Sequence, residues 1–321
     1  MKKTFVNATH IEGYIYEHKL EEKVSGETSK NPGTPFITGT ISVATDNEML
    51  NVVQVHFTYV TAVTSKGKPN NTYNTLKAII DGKIQNVMEH GQENAGMVRI
   101  DSAIGLNEWY DTRNNNELVS IRRNEGGFVH QVNELSENPE QRATFDVDIL
   151  ITKATRLEPD DEKNLPERMI LRGAIFDFRK ALLPVEFTVK HPGAMDYFDS
   201  MEISSSNPLF TELKGIQVSR TIINRKEEAG AWGETSVVET RSSERDFVVN
   251  WAKPAPYEWD DESTLTATEL QEMMATREIY LADIKKRQDE YQATKGNALA
   301  GGAVTKSAPV PTSGTGKAYD F

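Results

Sequence analysis

Two stretches of the chain decide its fold, "ITGTISVATDNEMLNVVQVHFTYV" (37–60) and "LRGAIFDFRKALLPVEFTVK" (171–190). In both, two runs that are rich in β-branched residues or alternate apolar with polar residues lie on either side of a central segment of turn-forming residues. This pattern is typical of two strands joined by a turn. Each contains a Gly-x-Ile triplet followed by Val-x-Phe-Thr, at 39–41 with 55–58 and at 173–175 with 185–188. The shared order predicts one β-unit that occurs twice in the chain.

Three glycines lie inside predicted strands, namely Gly13, Gly39 and Gly173. Glycine weakens a strand unless a bend or the close approach of another backbone requires it. A five-stranded barrel of the OB type bends its strands strongly, so the glycines favour two such barrels. They also fit ordinary β-bulges, which leaves a β-sandwich as the alternative architecture.

The pattern changes after Pro256. Up to residue 255 the chain predicts strands, apart from one short helix over 71–82. An acidic connector then follows, and Thr266 with Glu269 fits a capping box that opens an amphipathic helix over 265–292. Because the residues after Lys295 are mainly Gly, Ala, Ser, Thr and Pro, they predict a disordered tether. The helix has an apolar stripe that could dock on the body or on a second copy, which leaves a homo-oligomer open.

These patterns predict a mainly β chain in four parts. They are an OB-like β domain over 1–140, a second OB-like β domain over 141–255, an acidic connector and amphipathic helix over 256–294, and a disordered tether over 295–321 with a Tyr-Asp-Phe tip.

Composition excludes several classes of protein. The 321 residues carry a net charge of −12, which argues against coating duplex DNA through bulk positive charge but permits a local basic groove. The lack of cysteine excludes disulfides and thiolate metal sites. We expect a cytoplasmic protein with no membrane contact, because no apolar run is long enough to span a bilayer and no apolar segment follows Lys2 and Lys3.

Motifs for catalysis are missing from the sequence. It contains no phosphate-binding GxxxxGK[ST] loop, no HExxH helix and no GxSxG elbow, and its six histidines show no ligand spacing. Asp146 and Asp148 alternate with apolar residues, which favours the polar outer face of a strand over a metal site. We therefore expect a protein that is not an enzyme and that needs no metal or cofactor.

The first predicted strand carries aromatic rings on one face. Tyr14, Tyr16 and His18 alternate with the apolar residues of "IEGYIYEHKL" and so should share a face. Bases of single-stranded nucleic acid stack on such rings with little sequence preference, so the face is a candidate platform. The alternative is that a second layer covers the tyrosines and bonds their hydroxyl groups.

Other stretches also interleave cations with aromatic rings. The second unit offers Arg172, Phe176 and Phe178 on one face, followed by Arg179 and Lys180, with packing between domains as the alternative for the two phenylalanines. Further candidate nucleic-acid contacts are Lys66 and Lys68 on a loop, Trp109, Tyr110, Arg122, Arg123 and Phe128 near a hairpin, and Arg225 with Trp232 before a long strand.

The overall layout resembles bacteriophage and bacterial single-stranded DNA-binding proteins. The resemblance rests on the β body, the acidic connector, the tether and the tip of Tyr319, Asp320 and Phe321. It implies sequence-tolerant binding and protection of single-stranded DNA during phage replication or recombination, in the cytoplasm of a bacterial host. It also implies that the tip recruits replication or recombination proteins. The alternative is a phage virion or assembly protein with a β-sandwich body and an oligomerising helix.

Overall fold

The computed structural model describes residues 4–27, 29–160, 165–229, 232 and 235–300. These residues form ten strands, which are hydrogen-bonded in the order β2-β3-β5-β4-β1-β6-β7-β8-β10-β9. Two further pairings, β2 with β1 and β6 with β9, close each half of this sheet on itself. The protein is therefore built from two barrels.

Barrel 1 contains the first five strands and has the topology of an OB-fold. β3 and β5 are parallel, the other neighbours are antiparallel, and α1 joins β3 to the region before β4. The closed order 1-2-3-5-4-1 is that of the five-stranded Greek-key barrel. Its elements are β1 Asn7–Val24, β2 Pro35–Ala44, β3 Val52–Thr61, α1 Asn71–Ile80, α2 Val87–His90, β4 Met97–Asp111 and β5 Glu117–Val132.

Barrel 2 repeats this topology strand for strand. β8 and β10 are parallel, as β3 and β5 are, and α3 occupies the place of α1. The predicted mainly β fold with two OB-like barrels is thus confirmed, and the β-sandwich is wrong because each sheet closes on itself. The elements are β6 Ala143–Leu157, β7 Arg168–Phe176, β8 Leu182–Val189, α3 Pro192–Asp199, β9 Leu209–Ala229 and β10 Thr235–Ala252.

The repeated glycines mark the close approach of the first two strands of each barrel. A Cβ atom on Gly39 would lie 2.0 Å from the carbonyl oxygen of Lys19, and one on Gly173 would lie 2.2 Å from that of Leu150. Gly39 also has a φ of +126°, which L side chains rarely adopt. Strong bending is therefore possible because these positions have no side chain.

The two barrels share strand β1. Its first half, Asn7–Ile11, pairs with β6, while residues 9–14 pair with β4. Polar side chains add a second connection: Asn51 donates to the carbonyl oxygen of Gln217 at 3.1 Å, and Asn124 donates to the Gln217 side chain at 2.8 Å. Because Asn124 and Gln217 are buried, these bonds fix the barrels against each other.

A long helix, α4 Ala267–Ala300, follows the second barrel and extends past the predicted boundary at 294. Its capping box forms as predicted, with reciprocal bonds of 3.1 and 3.3 Å between Thr266 and Glu269. The start of the helix packs on a cluster that includes Phe176, Phe210 and Met273. The first part of its apolar stripe therefore docks on its own chain. Among the described residues, no helix is both long enough and apolar enough to cross a membrane.

Candidate nucleic-acid interface

A groove of about 870 Å³ lies between the two barrels. One wall is formed mainly by β2, β3 and β5 of barrel 1, with a few residues of β1 and β4, and the other by β7, β8, β9 and β10 of barrel 2. We call this the interbarrel groove. In OB-folds the face of the second and third strands is the usual binding surface for oligonucleotides and oligosaccharides. Here the corresponding faces of both barrels line one groove.

Four arginines line the groove, in a chain whose net charge is strongly negative. They come from β5, β9 and β10 and are opposed by three acidic side chains from β1, β8 and β10. The arginines of the lining thus outnumber its acids by one. The arginines are Arg122, Arg123, Arg220 and Arg245, and the acids are Glu17, Glu186 and Asp246.

Arg122 connects the two walls. Its guanidinium lies 3.8 Å from the centre of the Phe247 ring and 5.4 Å from that of Phe187, and it donates to the carbonyl oxygen of Glu186. A guanidinium that is stacked on one ring, lies beside a second and donates a hydrogen bond is held in one orientation. Arg122 therefore presents a fixed positive edge to the groove.

The other groove arginines differ in how they are paired. Arg123 donates to Glu125 from Nε at 2.7 Å, and Arg220 Nε lies 2.8 Å from Glu244. Arg245 is exposed and forms no ion pair with any residue in the described part of the chain. A phosphate could therefore bind Arg245 without displacing a carboxylate.

His56 lies on the barrel 1 wall of the groove. Burial lowers the pKa of this imidazole below its usual 6.5, and the nearby guanidinium of Arg123 lowers it further, while Glu125 acts in the opposite direction. The ring is therefore mainly neutral at pH 7 in the free protein. An anion bound beside it would favour the protonated form.

The predicted ring platform on β1 is only partly formed. A bulge between Ile15 and Glu17 shifts the register, so that Tyr14 stays opposite Ala44 while His18 comes to lie opposite Ile41 of the core. Because directly opposed residues share a face, Tyr14 and His18 lie on opposite faces. The prediction of one common face is thus wrong, and of the three rings Tyr16 lines the groove.

The second predicted surface, with Arg172, Phe176 and Phe178 on one face, does not form as a single face either. Phe176 is fully buried and stacks on Phe5 at 4.3 Å, so its predicted exposure is wrong. The alternation ends because β7 stops at Phe176 and a turn begins at the next residue. Phe178, 89% exposed, lies on that turn with Arg179 and Lys180 and lines a different cavity. Arg172 is paired with Glu186.

The remaining predicted contacts are scattered over the surface of the protein. Lys66 and Lys68 are exposed on the loop after β3, Trp109 and Tyr110 are half-buried on β4, and Phe128 is exposed on β5. Trp232 is 95% exposed between β9 and β10. None of these six lines the interbarrel groove. The side chain of Arg225 and the tip of Tyr319, Asp320 and Phe321 lie outside the described residues.

Of the predicted contacts, Tyr16, Arg122 and Arg123 line the groove, together with His56, Arg220, Arg245 and Phe247, which the predicted set does not include. A signal for two of them exists, since Arg245 and Phe247 are two residues apart on β10 and so share a face.

The paired aspartates differ from the prediction as well. Asp146 forms an ion pair with Lys214 at 2.8 Å, as suits an outer face. Asp148 is instead completely buried, and its Oδ2 accepts a 2.8 Å bond from the backbone N–H of Val6. Within the described ranges, no group of three or more His, Asp or Glu side chains could hold a metal ion.

Comparisons with known proteins identify a family, and the solved structures that match include a distant likeness. No curated protein matches the chain. A crystal structure of a deletion mutant of the single-stranded DNA-binding protein from Thermus aquaticus matches with a TM-score of 0.44 and 7% identity, over 79% of this chain and 97% of that one. Residues 6–287 match the family model described as YorF. The chain therefore belongs to the YorF family.

Proposed function

We propose that the protein binds single-stranded DNA in the interbarrel groove, with little sequence preference and without catalysis. The observation that carries the proposal is the arrangement of the barrels, which turn corresponding OB faces with four arginines toward one groove. The Tyr16 ring and the guanidinium plane that Arg122 holds over Phe247 supply flat surfaces on which bases can stack.

The groove suits a single strand better than a duplex. A single strand exposes both its phosphates and the faces of its bases, so it can use guanidinium groups and rings from two walls at once. A duplex hides the base faces and offers mainly phosphates, and the overall charge of −12 opposes binding through phosphates alone. Stacking is worth about 1–3 kcal/mol per base and compensates for the modest positive charge.

We extend the proposal to the biological role. The DNA-bound form would protect single strands during phage replication or recombination, and the tip of Tyr319, Asp320 and Phe321 would recruit other proteins of those processes. The support for this part is the layout of the sequence, in which the tip follows the long helix and the Gly- and Pro-containing segment.

A titration tests the central proposal. A fluorescently labelled single strand of roughly 30 bases should bind at low salt with a Kd below about 10 μM, and the affinity should fall as salt is added. The same strand annealed to its complement is the control and should bind more weakly. Absence of binding to the single strand at that concentration, or equal binding of both forms, would contradict the proposal.

Arg245→Gln should weaken DNA binding about 3- to 10-fold, because the exposed guanidinium loses a phosphate contact. The slope of log affinity against log salt concentration should also decrease in magnitude by about 1, which corresponds to the loss of one phosphate contact. Lys83→Gln is the matched control, since Lys83 is an exposed cation far from the groove lining. Fluorescence anisotropy at several salt concentrations measures both quantities, and an equal loss in the two variants would argue against the groove.

DNA binding should strengthen as the pH falls. His56 has a lowered pKa in the free protein, and a neighbouring phosphate raises that pKa in the complex, so protons are taken up on binding. The affinity therefore increases while the pH falls from the bound pKa to the free pKa, which lies below the usual 6.5, and then levels off. An oligothymidine strand is the probe because its bases do not titrate there. His56→Gln should remove this dependence, and an unchanged profile in that variant would refute the role of His56.

A further inference from the structure

Part of the outer edge of strand β4 is covered by no other strand of the described residues. β1 pairs with β4 only as far as Ser102, which lies opposite Thr9. The rest of β4, up to Asp111, is paired with β5 on one side only. An uncovered edge of this kind offers backbone hydrogen-bonding groups to a further strand.

Side-chain amides occupy the two ends of this edge. Asn7 accepts from the N–H of Ile104 at 2.9 Å and donates to its carbonyl oxygen at 3.0 Å. The amide of Gln288 on α4 bonds the N–H and carbonyl of Tyr110 in the same reciprocal way, with the N–H bond at 2.9 Å. Each side-chain amide thus makes the two hydrogen bonds that a residue of a neighbouring strand would make.

The two positions between them remain unpaired. Because alternate residues of an antiparallel strand point their backbone groups to the same edge, Leu106 and Glu108 must point theirs outward, as Ile104 and Tyr110 do. Within the described part of the chain, nothing bonds the outward N–H and C=O groups of Leu106 and Glu108. Four backbone groups are therefore free for a short added strand.

A cavity of about 670 Å³ adjoins this edge. Residues 103–106 and Glu108 form one wall, the β7–β8 turn with Phe178 forms another, and α4 with Met273 and Tyr280 forms the third. We call it the edge cavity. Free backbone groups and an adjoining pocket that can take alternate side chains are the two components of peptide recognition by strand addition.

We propose that the edge cavity binds an extended segment of this same chain, residues 317–321, which adds to β4 as a short antiparallel strand. Tyr319 would pair with Glu108 and Phe321 with Leu106. Four backbone hydrogen bonds then form, because the two residues of each of these two pairs donate one N–H···O bond to each other.

The direction of the chain favours this segment. Arg277 of α4 bonds Glu108, and Gln288, later in the same helix, bonds Tyr110. The helix therefore runs along β4 toward the C-terminal end of that strand. About 20 helical residues, roughly 30 Å, separate Tyr280 from the end of α4 at Ala300. The 18 or so residues between Ala300 and Tyr319 can extend to about 60 Å, enough to return. A returning chain runs from Tyr110 toward Ile104, antiparallel to β4.

The side chains of the segment also fit. Directly paired residues share a face of the sheet, so Tyr319 and Phe321 would lie on the face where Glu108 meets Arg277 of α4. Their rings then enter the edge cavity beside Phe178 and Met273. The cavity lining has five acids and three bases, so it offers carboxylates to Lys317, which shares the face of Tyr319, whereas Asp320 would be directed to the other face.

Backbone amide exchange tests the proposal directly. In the full chain, the amides of Leu106 and Glu108 should exchange slowly, and deletion of residues 317–321 should accelerate both about tenfold or more. The amides of Asn107 and Trp109 point to β5 and should keep their rates, which provides a control inside the same strand. Unchanged rates at Leu106 and Glu108 after the deletion would overturn the proposal.

Point variants in the full chain refine this test. Tyr319→Ser combined with Phe321→Ser should have the same effect as the deletion, whereas Asp320→Asn should have none. Protection that grows with protein concentration would assign the added strand to a second copy and overturn the same-chain assignment. The measurement contains no nucleic acid, so its outcome is independent of the function proposed for the groove.

Discussion

Replacing Gly173 with alanine should cost barrel 2 about 3 kcal/mol or more, as expected for a side chain forced into backbone atoms. The new Cβ would lie 2.2 Å from the carbonyl oxygen of Leu150 and 2.9 Å from the Cα of Ile151. Both are backbone atoms of β6, which pairs with β7 at this point. They can move away only if that pairing is disturbed.

Urea unfolding followed by circular dichroism measures the loss. Gly26→Ala is the matched control, because a Cβ at Gly26 has no neighbour within 4 Å and its backbone is ordinary. We expect Gly26→Ala to change the unfolding free energy by less than about 1 kcal/mol, or to stabilise the protein slightly. If the two alanine variants unfold at the same urea concentration, the strands do not approach each other as closely as described.

Arg277→Met should cost about 3–5 kcal/mol, because it leaves a buried carboxylate without its partner. The Arg277 guanidinium bonds Glu108, whose side chain is only 1% exposed, and it also donates to the carbonyl oxygen of Leu182 at 3.2 Å. The substitution thus removes three contacts that hold α4 against both barrels.

Two further variants separate charge burial from simple loss of packing. Glu108→Gln added to Arg277→Met should recover part of the loss, because no unpaired charge then remains buried. Arg287→Met removes an exposed pair with Asp283 on the same helix and should cost less than about 1 kcal/mol. Urea unfolding of all four proteins provides the comparison. Similar losses for Arg277→Met and Arg287→Met would show that the Arg277 pair is not buried in solution.

Local sequence patterns predict the parts of the fold that depend on neighbouring residues. The double β-unit and the glycines at 39 and 173 indicate the barrels because strand alternation and backbone crowding are local properties. The start of α4 can also be predicted from the sequence, because the capping box involves only Thr266 and Glu269, which lie within one helical turn.

The groove is less predictable because it depends on contacts between distant segments. Arg122 reaches Phe247 and Glu186 across the space between the barrels, and no local period encodes such a contact. Two local irregularities also interrupt the strand alternation on which the predicted faces depend. They are the bulge after Ile15 and the turn that begins after Phe176. A single extra residue reverses every later side chain of a strand, so alternation alone could not place His18.

The pairing of β1 with β6 has a consequence for the order of folding. All strands of barrel 1 have been synthesised by Val132, but β6 begins only at Ala143. During synthesis the edge formed by Asn7–Ile11 therefore stays open until the second barrel starts to emerge. A fragment that ends before Ala143 would keep this edge permanently and could pair with its own copies, so barrel 1 alone should aggregate more readily than the whole chain.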